Sequence, residues 1–111
     1  GARLDRCCFR GMAMPGADLS GASMVNALFS SADLTGADLS GADARQAQFR
    51  KARLDGANLA GINLMEGSLA KADIANASFV DANLYAVDML RAVIENTDFS
   101  GSNRDATVTE D

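Results

Sequence analysis

The sequence repeats a short pattern every five residues from one end to the other. Starting at Leu4, every fifth residue through Phe99 is Leu, Phe, Met or Ile, with a single exception at Ala44. A small residue, usually alanine, stands two positions before most of these centres, and the frame never slips. Helices repeat every 3.6 residues and strands every 2, so neither element alone explains a period of five. The chain is therefore predicted to be built from one small repeated unit.

Each five-residue unit is expected to form one short extended side and one corner. Its small and large apolar residues are two positions apart, which places both on the same side of an extended segment. The other positions are polar and often include Gly or Asn, which tolerate positive φ angles and favour turns. The unit is therefore predicted to be one side of a polygonal coil.

The spacing of the phenylalanines sets the number of sides. Phe9, Phe29 and Phe49 are twenty residues apart, and so are Phe79 and Phe99. A four-sided coil stacks them in two columns on opposite sides, whereas a three-sided coil scatters them over all three columns. The predicted fold is all-β, a quadrilateral parallel β-helix of about five coils of four pentapeptides. It is expected to span residues 2–103, with 104–111 as an acidic C-terminal tail that serves as a cap or a linker.

Charge and composition limit the class of protein. The net charge of −5 and the pI near 4.5 favour solubility and argue against direct binding of nucleic acid. No apolar run approaches the roughly 18 residues of a membrane span, and no signal-peptide pattern is visible. Cys7 and Cys8 are adjacent, whereas metal and redox motifs space their cysteines, so both are expected to be reduced thiols. We predict a cytoplasmic protein, or one secreted without a classical signal peptide if it belongs to an effector.

The sequence predicts no catalytic, cofactor-binding or metal-binding residue. It contains no histidine, the commonest general base and metal ligand. Serine, aspartate and lysine are frequent, but they fall on flat repeating faces without a nucleophile–base arrangement. The protein is therefore expected not to be an enzyme and to need no cofactor.

Folding the sequence into rows of twenty sorts its charges onto opposite faces. The face centred on Leu19 and every twentieth residue after it carries acidic residues and no basic one: Asp18, Asp38, Asp81 and Asp98. The opposite face, centred on Phe9 and its successors, carries basic residues: Arg10, Arg50, Lys51, Lys71 and Arg91. We name these the acidic face and the basic face, and both are candidate interaction surfaces.

A third candidate surface is apolar. The face centred on Leu4 and its successors is mixed in charge, and Val25, Met65 and Tyr85 point outward in one of its columns. Scattered exposed apolar residues are ordinary, so this column is either a contact surface or an unremarkable part of the exterior.

The repeat resembles a known family. The motif A(D/N)LXX occurs at residues 17–21, 57–61 and 82–86, among others, and is similar to the repeat of pentapeptide-repeat proteins. The resemblance covers roughly residues 2–103. It implies a right-handed quadrilateral β-helix.

The resemblance also suggests a function for the acidic residues, against which stands a purely structural explanation. Some bacterial members protect type II topoisomerases from quinolones as acidic rods that imitate DNA, and regularly spaced aspartates suit that role. Alternatively, aspartate belongs to the repeat itself, because its side chain bonds nearby backbone amides at the corner. The basic face and the modest net charge favour the second explanation.

We therefore predict a rigid, non-catalytic scaffold that binds a protein partner. It is expected to be part of a larger bacterial protein, with secretion-associated and effector proteins as the possible hosts. A DNA-mimicking gyrase binder that modulates quinolone action is the alternative.

No residues remain for a cap at the N-terminus, whereas the acidic C-terminal tail is expected to be a loose cap or the start of a linker. The first repeat begins at Ala2, and Arg104 takes a centre position at the other end. Stacked coils normally need capped ends. This favours a domain cut from a longer chain, and the alternative is end-to-end or dimeric association through the uncapped coil ends.

Overall fold

The computed structural model describes residues 1–109, and Glu110 and Asp111 of the predicted tail lie outside the described residues. The chain winds as a four-sided coil. Each side contains a single β-bridge residue, then the large centre residue, and then a two-residue turn. Residues 1–109 form no helix and no longer strand. Parallel bridges join each bridge residue to the one twenty positions later, from Arg3↔Ser23 to Asp88↔Val108. The predicted four-sided parallel β-helix is confirmed.

Backbone hydrogen bonds tie each inner coil to both of its neighbours. The centre residue Leu34 donates its N–H to the carbonyl of Arg53 in the following coil, at 2.7 Å. The bridge residue Asp33 donates to the carbonyl of Met12 in the preceding coil, at 2.8 Å. Gly36, the second turn residue, donates its N–H to the backbone carbonyl of Asp55 in the following coil, at 3.0 Å. Stability is therefore expected to come from contacts between neighbouring coils.

The corners are β-turns closed by a hydrogen bond back to the centre residue, as from the N–H of Ala37 to the carbonyl of Leu34 at 3.0 Å, except that the corner at Glu95 and Asn96 is an open bend. The second turn residue has φ between +55° and +70° at every corner, the pattern of a type II turn. Glycine occupies eight of these positions and other residues thirteen. The sequence pattern pointed to Gly and Asn here, but Lys51, Lys71 and Arg91 also adopt this conformation. The left-handed region costs such residues about 1–2 kcal/mol each, which the hydrogen bonds between coils must offset.

The core is a dry stack of apolar side chains along the axis. The centre residues from Met24 to Leu84 are fully buried, and no polar or charged residue is buried among those described. The rings of Phe9, Phe29 and Phe49 stack at centroid distances of 4.9 Å, and those of Phe79 and Phe99 at 5.4 Å, near the spacing of about 4.8 Å between hydrogen-bonded strands. Burial of each large side chain contributes on the order of 2 kcal/mol.

The two end coils are less well covered than the middle. The centre residues of the first coil are half-buried, and Ile94 in the last coil is 49% exposed. The rod measures 33 × 20 × 18 Å. End residues lack one neighbouring coil, which explains their exposure.

The coil continues past residue 103, where the sequence analysis placed the end of the repeat. Asn103 and Val108 form bridges to the preceding coil, and Ala106 has the φ of +57° expected at a corner. Pairing between coils uses backbone groups, so it does not require a large apolar centre. Arg104 takes the centre position and lies over the Phe99 ring, 4.9 Å from its centroid.

Candidate interaction surface

Aspartate and asparagine have a structural task in the repeat. In the described coils, the N–H of the first turn residue makes no hydrogen bond to a backbone carbonyl. At most corners a side chain two residues earlier accepts it instead: Asp38 Oδ1 accepts from the N–H of Ser40 at 2.9 Å and from its hydroxyl at 2.6 Å. The same backbone bond is made by the side chains of Asp18, Asp33, Asn58, Asn63, Asp73, Asn83, Asp88, Asp98 and Asn103. The A(D/N)LXX motif therefore satisfies a backbone donor that coil stacking leaves over.

The one proline follows the same rule. Pro15 is a first turn residue and has no N–H to satisfy. Two positions earlier stands Ala13, which has no side-chain acceptor. Proline is also favoured at this turn position because its φ is preset.

These hydrogen bonds stabilise the charged form of several aspartates. The Ser20 hydroxyl, followed by the Ser20 backbone N–H, lowers the pKa of Asp18 below its usual value. Thr35 does the same for the pKa of Asp33, and Ser100 for the pKa of Asp98. The carboxylates are therefore ionised at neutral pH while one oxygen of each is held by its own turn.

The acidic face is not a continuous ladder of charge. Asp18 and Asp38 are stacked bridge residues in neighbouring coils, but Asn58 and Ser78 take the next two places in that column before Asp98. The fourth predicted residue of the face, Asp81, lies at a corner as a second turn residue with φ of +58°. Two adjacent carboxylates, two neutral side chains and a third carboxylate make a sparse acidic surface.

Four of the five residues predicted for the basic face gather at one corner. Lys51, Lys71 and Arg91 are second turn residues of successive coils, and Arg50 precedes Lys51 in its turn. Repulsion from Arg50, then from Lys51, with desolvation and Arg91 adding smaller effects, lowers the pKa of Lys71. We name Arg50, Lys51, Lys71 and Arg91 the basic corner. The clustered like charges are unfavourable to one another, and an anionic partner would relieve that repulsion.

Arg10 lies apart from the basic corner. It shares the turn column of Arg50, but the coil between them places Ser30 in that position. Two coil spacings, each of about 4.8 Å, separate the two residues along the axis. Arg10 is therefore a separate positive charge near the first coil.

The predicted apolar column does not form one patch. Tyr85 is 42% exposed, whereas Val25 and Met65 are only partly exposed. Between Val25 and Met65 lies Arg45, whose Nε and Nη2 each donate to the Asp43 carboxylate at 2.8 Å. The column therefore presents one exposed aromatic ring and an ion pair.

Sequence reasoning missed Leu90, which is 39% exposed beside Arg91. It is a first turn residue, on the outside of the coil, so its place in the repeat was the available signal. Leu90 gives the basic corner an apolar contact.

The described residues form no group of His, Cys, Asp and Glu that is able to hold a metal ion. A hollow of about 500 Å³ opens at the C-terminal end of the coil, lined by Met89, Ile94, Phe99, Ser102, Arg104, Asp105, Thr107 and Thr109. It is the open end of the core. Cys7 and Cys8 are free thiols. Residues 1–109 also contain no helix that is long and apolar enough to cross a membrane.

A closed coil with a dry core and flat outer faces is the architecture of a solenoid repeat protein. The family model for pentapeptide repeats matches the chain in eight copies, over residues 14–50, 27–64, 45–81 and 68–103. The chain therefore belongs to the pentapeptide-repeat family, and its fold is the right-handed quadrilateral β-helix of that family.

Solved structures show the same fold. A pentapeptide-repeat protein of Nostoc PCC 7120 is 32% identical with a TM-score of 0.68, over 92% of this chain and 79% of that one. A pentapeptide-repeat protein of the Arabidopsis thaliana thylakoid lumen is 31% identical with a TM-score of 0.51, over 89% of this chain. The match covers 66% of that protein, so this chain corresponds to about two thirds of it.

A more distant likeness is to QnrB1, a plasmid-mediated fluoroquinolone resistance protein, at 17% identity and a TM-score of 0.49 over 98% of this chain and 80% of that one. This likeness carries no argument about function. Among proteins with curated descriptions, none matches the chain.

Proposed function

We propose that this chain is a rigid, non-catalytic protein-interaction module whose basic corner binds an acidic surface of a protein partner. The observation that carries the proposal is the clustering of Arg50, Lys51, Lys71 and Arg91, strong enough that the repulsion lowers the pKa of Lys71. Complementary charge across an interface increases the association rate and excludes wrong partners. The role as part of a larger bacterial protein belongs to the same proposal.

The coil suits this task because its surface is preorganised. The side chains at the basic corner rise from turns that are fixed by hydrogen bonds to the coils on either side, as Lys51 is bonded to Ala70 and Lys71 to Leu90 at 2.9 Å. Little backbone order is lost when such a surface binds, which improves affinity for a given set of contacts. Leu90 supplies apolar area beside the charges.

Binding of an acidic peptide tests the proposal. A fluorescent oligoglutamate peptide is titrated with the protein at low ionic strength and followed by anisotropy. Lys71→Glu is expected to weaken binding at least tenfold, because it reverses the central charge of the corner. Arg6→Glu is the matched control, since Arg6 is also a second turn residue with φ near +61° but lies at a different corner. Equal loss in both variants, or no loss in Lys71→Glu, would refute the basic corner as the binding surface.

The alternative, a DNA-mimicking protein that binds a type II topoisomerase, has weaker support. The column of aspartates that would imitate the phosphates of DNA is interrupted by Asn58 and Ser78. Asp18, Asp38 and Asp98 also each use one oxygen to hold their own turns. A gyrase supercoiling assay with and without quinolone separates the two functions, and inhibition or protection at micromolar protein would favour the mimic.

A further inference from the structure

The acidic residue Asp81 and the basic corner lie at diagonally opposite corners of the square coil. Each coil turns four corners in sequence, and the corner of Arg91 and the corner of Asp81 are two corners apart in that order. Asp98 lies on the side that leads to the corner above Asp81. One molecule therefore presents positive charge on one side of the rod and negative charge on the other.

The charges on the two sides occur at matching heights along the axis. Lys71 and Asp81 are within half a coil of each other in sequence, as are Arg91 and Asp98, and as are Arg10 and Asp18. Because neighbouring hydrogen-bonded strands are only about 4.8 Å apart, each acid is nearly level with its basic counterpart. A copy shifted sideways without any shift along the axis therefore meets opposite charge at three heights.

We propose that a second copy of this chain docks sideways on the basic corner, bringing its Asp81 and Asp98 level with Lys71 and Arg91. The inference rests on the proposed binding role of that corner and names its partner. Because the complementary charges are on opposite sides of one molecule, the contact is heterologous and extends into rows instead of closing into a two-fold dimer. The association is driven by exposed charges, and it is therefore sensitive to salt.

Sedimentation velocity over a concentration series tests the association. The weight-average mass is expected to rise with protein concentration at about 0.01 M salt, where the Debye length is roughly 30 Å, and to stay monomeric at about 1 M salt, where it is roughly 3 Å. A chain that stays monomeric at low salt up to its solubility limit would overturn the proposal.

Charge reversal identifies the surfaces. Lys71→Glu and Asp81→Lys are each expected to abolish the rise in mass. The double variant is expected to restore it, because each contact then joins the same two positions with their charges exchanged. Both changes introduce residue types that this turn position already accepts, as Glu66 and Lys51 show with φ of +62° and +61°. Circular dichroism confirms that each variant is folded.

Two comparisons keep the interpretation specific. A general effect of net charge predicts stronger association for Asp81→Lys, which makes the acidic chain less negative, whereas the proposed contact predicts weaker association. Arg6→Glu has the same net charge as Lys71→Glu and is expected to associate like the original chain. If self-association is unchanged in Lys71→Glu and Asp81→Lys while binding of the acidic peptide still requires Lys71, the second copy is the wrong partner and the proposed function stands. If neither self-association nor peptide binding depends on Lys71, the proposed contact and the proposed function are both wrong.

Discussion

At the scale of single residues, Asp38 shows why the repeat often carries an acidic or amide side chain before the centre. Its Oδ1 accepts two hydrogen bonds from Ser40, one from the backbone N–H and one from the hydroxyl. An unmatched N–H at this corner costs free energy comparable to a lost hydrogen bond. The side chain is therefore part of the backbone's own hydrogen bonding.

Replacing Asp38 tests this explanation. Asp38→Ala is expected to lower the free energy of unfolding by about 1 kcal/mol, because both hydrogen bonds are lost. Asp38→Asn is expected to cost less, since Asn58 makes the same backbone bond at 3.0 Å. Urea denaturation followed by circular dichroism measures both. An asparagine variant as unstable as the alanine variant would show that the charge, and not the hydrogen bond, is what the corner needs.

Gly67 is a second residue whose role is local. It occupies the small inward position that Ala57 and Ala72 fill in other units, and its φ is not in the left-handed region. A Cβ at this position would lie 2.7 Å from the Ala47 carbonyl oxygen and 2.7 Å from Leu64 Cδ1. Glycine is required there by space and not by backbone conformation.

Gly67→Ala is therefore expected to destabilise the fold by about 1–3 kcal/mol through overpacking, although alanine is the usual residue at this position. Gly36→Ala is the matched control, because a Cβ there has no neighbour within 4 Å and only the φ of +67° opposes it. Thermal unfolding compares the two. The steric explanation fails if Gly67→Ala is as stable as the original chain.

At the scale of the repeated unit, the turn is held by a carboxylate whose charge matters. Thr35 contributes its hydroxyl and its N–H to Asp33 Oδ1, at 2.6 Å and 3.1 Å. Both bonds favour the ionised carboxylate, so the pKa of Asp33 is lower in the folded chain than in the unfolded chain. Asp18 and Asp98 repeat this arrangement with serine.

Acid is therefore expected to destabilise the coil. A carboxyl group with a lowered folded pKa contributes stability above its unfolded pKa and loses that contribution as the pH falls through the folded pKa. The melting temperature should be level near neutral pH and should fall below about pH 4. Asp33→Asn is expected to reduce the slope of this decline, because one linked group is removed. A melting temperature that is independent of pH between about 6 and 2 would contradict the linkage.

At the scale of the whole molecule, the local stability of a coil depends on whether it has neighbouring coils both above and below it. The buried core runs from Ala22 to Met89, whereas the first coil and the residues beyond Met89 are half-buried or exposed. In a solenoid, each repeat contacts only its neighbours, so local opening is easiest at the ends.

Amide hydrogen exchange is expected to show this gradient. Protection should be highest for inner-coil donors such as Leu54 and Leu59, and lower for Leu4 and Phe9 in the first coil, although all four make backbone hydrogen bonds to the following coil. The measurement is exchange read by NMR under native conditions. Uniform protection from end to end would indicate that the coils unfold only together.

The sequence by itself determined the unit and the number of its sides. The period of five required a short side and a corner, and the twenty-residue spacing of Phe9, Phe29 and Phe49 required four sides, because stacked coils align residues one turn apart. The turn and the inward pair are local properties, so they can be deduced from spacing.

The tertiary structure decided what depends on neighbouring coils. It separated Arg10 from the basic corner by placing Ser30 between Arg10 and Arg50, and it extended the coil past Asn103 because pairing uses backbone groups even where Arg104 replaces an apolar centre. It also placed Lys51 and Lys71 at positive φ, a conformation that their own preferences disfavour and that hydrogen bonds between coils impose. These features arise between coils, and no single five-residue unit contains the information.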